Sequence, residues 1–212
     1  MMRLLAMLGR PERRLPPVVH VAGTNGKGSI CSMVSSILMN AGYKVGLYSS
    51  PHLINFNERI RINNICITNN EIASFIQSKR KDIDEVKSTF FETTTAMAFD
   101  HFSFNKIDIA VVETGLGGRL DATNVINPII TAITSISLDH REILGNNIIE
   151  IAKEKAGIIK KGIPVVICPQ KKSVKSILFK TAIKCNSSII QVNMPPKVFN
   201  NRNGTSFAYK NT

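Results

Sequence analysis

Gly23-Thr24-Asn25-Gly26-Lys27-Gly28-Ser29 decides how this 212-residue chain is read. An apolar run at 17–22 enters it. A helical stripe of Ile30, Val34, Ile37, Leu38 and Ala41 leaves it, with Gly42 as the stop. Strand, glycine-rich turn and helix together make a phosphate cradle. The glycines let backbone N–H groups turn toward an anion, the helix N-terminus adds partial positive charge, and Lys27 adds a full one. The loop is P-loop-like without meeting the strict pattern, which needs Gly where Val21 stands and Ser or Thr where Gly28 stands. It also misses the dinucleotide fingerprint, because its glycines are spaced G-x-x-G-x-G.

Outward from the loop, strands are predicted over 44–49, 108–113, 129–136, 163–168 and 188–192. Helices are predicted over 91–104, 147–159 and 174–185. Asn63-Asn64 reads as a turn between extended pieces at 58–62 and 65–67, and Thr68 with Glu71 forms a capping box for a helix reaching about residue 86. This alternation specifies an α/β fold, a mostly parallel sheet flanked by helices. Ligands of such sheets lie beyond the carboxyl ends of the strands. That rule selects Gly23 onward, Ser49-Ser50, Glu113 and Asp139-His140. From residue 193 on, Asn, Pro and Gly dominate and periodicity fades.

Apolar residues at 43% and charged residues at 20% exclude disordered and collagen-like classes. No apolar run reaches the roughly 18–20 residues of a membrane span, and residues 1–14 lack a signal-peptide pattern. The four cysteines, at 31, 66, 168 and 185, form no metal or disulfide pattern, so the chain reads as soluble and cytoplasmic. The net charge of +12 is concentrated in residues 151–212, where Glu154 is the only acid. Solvated lysine faces, an anionic small substrate such as ATP or a polycarboxylate, and nucleic acid all fit that imbalance. No aromatic interleaving supports nucleic acid, since this segment's aromatics are Phe179, Phe199, Phe207 and Tyr209.

Glu113 ends an apolar strand beside the phosphate loop, a position suited to anchoring magnesium. Gly115-Leu116-Gly117-Gly118 follows, a costly flexible stretch unless backbone must approach something closely. Asp139-His140 ends another strand; a lone His is usually structural, and magnesium prefers oxygen. Lys155, within Ala152-Lys153-Glu154-Lys155-Ala156-Gly157, reads by itself as a surface helix lysine.

Taken together, His20 to Ser29, Tyr48-Ser49-Ser50-Pro51-His52-Leu53, Phe56-Asn57-Glu58-Arg59-Ile60, Glu113 to Asn124, Leu138-Asp139-His140 and Glu154 to Lys160 resemble folylpolyglutamate synthase / dihydrofolate synthase. That family belongs to the Mur-ligase-type ATP-dependent amide ligases, so the fold implied is the Mur ligase central domain. The resemblance implies that Thr24, Asn25, Gly26, Lys27, Gly28 and Ser29 hold the ATP phosphates, with Lys27 as the charge clamp. Ser50, Glu113 and His140 would ligate Mg2+. Lys155 matches a lysine that the family carries as a carbamate, and with Lys27 is the catalytic candidate. Phe91, Glu92, Leu120, Asp121 and Ala122 fall where the family binds the pterin.

The implied reaction is ATP-dependent addition of L-glutamate to a folate, or to dihydropteroate, through an acyl phosphate. Residues 1–16 are expected to be a shortened lead-in, 17–192 the ATP-binding domain, and 193–212 the end of that domain, where 203–209 resembles the family's hairpin. The family's C-terminal domain, which supplies much of the glutamate site, is expected to be absent or to come from a separate partner chain. The alternative expectation is a non-catalytic nucleotide-binding remnant, or one half of a split ligase.

Overall fold

The computed structural model describes residues 1–193, 198–202 and 204–207. Its strands are β1 (Val18–Ala22), β2 (Val45–Tyr48), β3 (Ile60–Ile62), β4 (Ile65–Cys66), β5 (Ile109–Glu113), β6 (Ile130–Ile133), β7 (Val165–Ile167), β8 (Ile189–Gln191), β9 (Val198–Asn201) and β10 (Gly204–Phe207). Its helices are α1 (Met2–Met7), α2 (Lys27–Asn40), α3 (Asn69–Val86), α4 (Phe90–Phe104), α5 (Arg141–Leu144), α6 (Ile148–Ala156) and α7 (Lys172–Lys184). The main sheet runs β4-β3-β2-β5-β1-β6-β7-β8. From β2 to β8 its neighbours are parallel, while β3 and β4 fold back antiparallel around the Asn63-Asn64 turn. The pair β9–β10 forms a separate antiparallel hairpin.

The chain leaves β1 toward β2 on one side, returns to β5, and crosses to β6 on the other. The switch point therefore falls at β1, and the crevice such a reversal opens lies at the loop that follows it. Side-chain alternation along β1 feeds two layers. Val21 packs with Cys31, Val45, Leu47 and Val111 beneath α2. Val18 packs with the α1 and α4 layer, and Ala22 with α6 and α7. Burial on both faces explains why these strands read as nearly continuous apolar runs.

Leu4 and Leu5 of α1 are buried in the same cluster as Phe99 and Phe102 of α4, so residues 1–16 contribute to the core as well as leading into it. The Thr68–Glu71 capping box is present and starts α3. Two boundaries are shorter than the sequence suggests. The strand predicted over 129–136 stops at Ile133 because Ser135 and Ser137 turn to bond Thr24 in the glycine-rich loop. The helix predicted to 159 stops at Ala156 because Gly157 meets the Arg119 backbone. Among the described residues no helix is long and apolar enough to cross a membrane.

Candidate active site

The glycine-rich loop at 23–29 is fixed by neighbouring segments. Thr24 N–H donates to the Ser135 carbonyl at 2.8 Å, and Ser137 N–H donates to Thr24 Oγ1 at 3.2 Å. Gly26 caps α2 with φ +84°, a left-handed conformation that favours glycine. No side chain caps this helix end and no acid stands in its first turn, so its N–H groups remain available to an anion. Lys27 Nζ folds back to the Thr24 carbonyl at 3.3 Å.

Glu113 pairs in register with Val21, on the sheet face covered by α2. A Cβ on Gly28 would stand 3.5 Å from Glu113 Oε2, which places the carboxylate beneath the first turn of α2. Ser50 N–H donates to the same oxygen at 3.3 Å. Burial pushes the Glu113 carboxyl up from its ordinary value, against the opposing pull of the Ser50 N–H and the Lys27 charge. No ion pair involves Glu113 among the described residues. A buried carboxylate with one N–H partner beside an open helix end suits a hard cation, which prefers oxygen donors. His140 lies outside this contact. It is exposed, caps α5 in the left-handed region, and sits 3.7 Å from Asp139.

Beside the loop lies a cleft of about 950 Å³. The sequence candidates Ser50, His140, Phe91, Glu92, Leu120, Asp121 and Ala122 all line it. A Cβ on Gly115 would come within 2.3 Å of the Phe91 ring, so the glycine stretch does meet a close approach. Asp121 is fixed on one side by Leu116 N–H at 2.8 Å and on the other by Thr123, whose hydroxyl donates to Oδ1. That hydroxyl must then accept from His20 Nε2, at 2.9 Å, so His20 is the Nε2–H tautomer. Full burial, aided by the Lys160 charge, drives His20 down to about 3 and keeps it neutral. Glu92 closes the α4 capping box with Thr89 and also meets the Met1 ammonium, so it positions the helix as well as lining the cleft.

The Mur ligase middle domain family matches residues 21–207. The chain belongs to that family. This Mur ligase middle domain is 49% identical over 173 residues to the dihydrofolate synthase/folylpolyglutamate synthase of Bacillus subtilis, a match covering 78% of this chain and 40% of that protein. A folylpolyglutamate synthase solved with AMPPCP and folate superposes at a TM-score of 0.90 and 35% identity, over 97% of this chain and 52% of that one. The Mycobacterium tuberculosis folylpolyglutamate synthase complexed with ADP gives a TM-score of 0.89 at 34% identity, over 97% and 49%. The chain thus spans about half the length, or less, of these relatives.

In this Mur ligase domain Lys155 is far from a surface lysine. It is 3% exposed, and its Nζ donates to the Gly23 carbonyl at 2.7 Å, at the start of the glycine-rich loop. Burial, with the Lys27 charge, pulls it down to about 8 against the attraction of Asp139 and Asp121. Helical periodicity could not show this, because the partners are remote: the Gly23 carbonyl for Nζ, and the loop at 115–119 for the helix backbone. Gly118 lies against the Glu154 and Lys155 carbonyls, and Arg119 N–H donates to the Glu154 carbonyl at 2.7 Å. Thr134 and Ser135 fall inside the strand predicted over 129–136, and nothing local marks Ser137 as a partner of Thr24. His20 and Thr123 stand inside resemblance blocks, yet their pairing across 103 residues has no local signal.

Proposed function

We propose that this chain binds the ATP phosphates and the acceptor of an ATP-dependent ligase that joins L-glutamate to a folate or to dihydropteroate. One observation carries the reading: the uncapped N-terminus of α2, with Glu113 beneath it and Ser50 against Glu113, adjoins the cleft lined by Phe91 and Asp121. Phosphate donor and carboxylate acceptor would thereby meet at one sheet edge. The relatives' AMPPCP, ADP and folate complexes support the same pairing.

The loop from Thr24 to Ser29 would hold the phosphates through backbone N–H groups, and Lys27 would swing from the Thr24 carbonyl to clamp them. Ser50, Glu113 and His140 would hold Mg2+, which supplies charge neutralisation for phosphoryl transfer. The acceptor carboxylate would take the γ-phosphoryl group of ATP, releasing ADP, and the glutamate amine would then attack the acyl carbon, losing a proton and expelling phosphate. Lys155 serves as a carbamate in this reading. Its amine is held partly neutral and can add carbon dioxide with loss of a proton, turning a cation beside the phosphate loop into an oxygen-bearing anion.

The test is calorimetric titration of ATP with Mg2+ into the wild type and Lys27→Ala. Losing one charge-assisted contact, about 1.5–3 kcal/mol, weakens binding by roughly 10- to 150-fold. Equal affinities would remove the phosphate assignment.

A further inference from the structure

Arg59 is the cleft residue that the phosphate and pterin assignments leave without a task. It ends the 3-10 turn Phe56–Arg59 and is 9% exposed, yet it lines the cleft. Its carbonyl accepts from Ser49 N–H at 3.0 Å, which fixes the residue against the end of β2. Its Nε donates to His52 Nδ1 at 2.8 Å, a neutral partner. The Phe90 ring lies 5.5 Å from the guanidinium carbon. Among the described residues Nη1 and Nη2 have no hydrogen-bond partner, and no carboxylate lies within ion-pair distance.

The acids that could neutralise Arg59 are engaged elsewhere. Glu58, next in sequence, accepts from the N–H groups of Leu53, Ile54 and Asn55. Within the cleft, Glu154 pairs with Arg119, Glu92 meets the Met1 ammonium, and Asp121 is held by Thr123 and Leu116. A buried cation without a counter-charge is costly. That cost is relieved when an anion enters. With Nε occupied and an aromatic ring against the guanidinium, the paired Nη donors are left to a planar carboxylate, the geometry for which arginine is better suited than lysine.

We propose that Arg59 recognises the carboxylate of the acceptor in this cleft, with His52 as its positioning partner. This rests on the function proposed above and adds the residue by which the site would select a free acid. The phosphates have their own cradle at α2 and Lys27, so Arg59 leaves ATP affinity unaffected.

The experiment measures the affinities of folate, folate dimethyl ester and MgATP for the wild type, Arg59→Met and Arg59→Lys. The wild type should prefer folate to its ester by about 10- to 150-fold, the range of one charge-assisted contact. Arg59→Met should bring that ratio near one while ester and MgATP affinities hold, which also shows that the variant folds. Arg59→Lys should keep part of the preference. A preference that survives in Arg59→Met overturns the proposal, as does parallel weakening of folate and ester. Loss of MgATP affinity alone assigns the guanidinium to phosphate and overturns it while leaving the proposed function standing. A wild type that binds MgATP but neither folate nor ester contradicts the acceptor reading itself.

Discussion

Lys155 owes its character to tertiary packing. Its charge is disfavoured by burial and by Lys27, so its proton is held with an affinity near pH 8 in place of the usual 10.5. The folded state therefore binds fewer protons than the unfolded chain between those values, and stability must rise with pH across that window. Below about pH 8 both states are protonated and the full cost of the buried cation is present. Urea unfolding of the wild type and Lys155→Met in carbon-dioxide-free buffer checks this, because other titrating groups cancel in the difference. The wild type should gain on the variant between pH 8 and pH 10.5, and a difference that stays flat would mean that Lys155 is not held as a depressed cation. At this scale the strand-end reading put Ser50 and Glu113 on one edge, where they touch through the Ser50 backbone N–H, while His140 stands outside that contact. The sequence could not show burial imposed from afar, as at Lys155, nor partners such as Thr123 for His20.

Elements were legible wherever their signals were local. The Thr68–Glu71 box starts α3 as the spacing predicted. α1 was missed because six residues are too few to show a helical period. The ends of β6 and α6 were overrun for a different reason: Ile136, Ile158 and Ile159 prolong the apolar pattern, but the residues just past each end are recruited by other segments, Ser135 by Thr24 and Gly157 by Arg119. The segment at 115–118 is the clearest case of a sequence cost explained by contact. A Gly115→Ala methyl would meet the Phe91 ring at 2.3 Å, so the ring must move. Overpacking of this kind costs about 1–3 kcal/mol. Because Phe91 lines the cleft and not the phosphate loop, Gly115→Ala should weaken folate binding while leaving MgATP affinity within about twofold of the wild type, a shift worth under 0.5 kcal/mol. Equal losses for both ligands would show that the two sites are not separable in this way.

For the molecule as a whole, alternation of strand and helix specified the layered sheet, and the carboxyl-edge rule selected Ser50 and Glu113, which meet at that edge. Strand order was beyond it, since nothing local says that β5 inserts between β2 and β1. Nor does local sequence show that residues before β1 belong to the core. Leu5 is fully buried among α4 side chains, so Leu5→Ala should cost about 2–5 kcal/mol in urea unfolding. A loss under about 0.5 kcal/mol, ordinary for a surface site, would detach α1 from the core.

In the proposed function one sheet edge joins a phosphate loop to a metal anchor at Glu113. The most direct test is titration of ATP into the wild type and Glu113→Gln, each with and without Mg2+. The side-chain amide keeps the shape and can still accept from Ser50 N–H, but it removes the anionic ligand. Mg2+ should raise ATP affinity in the wild type, and Glu113→Gln should lose that increase while keeping its metal-free affinity. A Glu113→Gln chain that retains the full magnesium-dependent increase would remove Glu113 as the metal anchor.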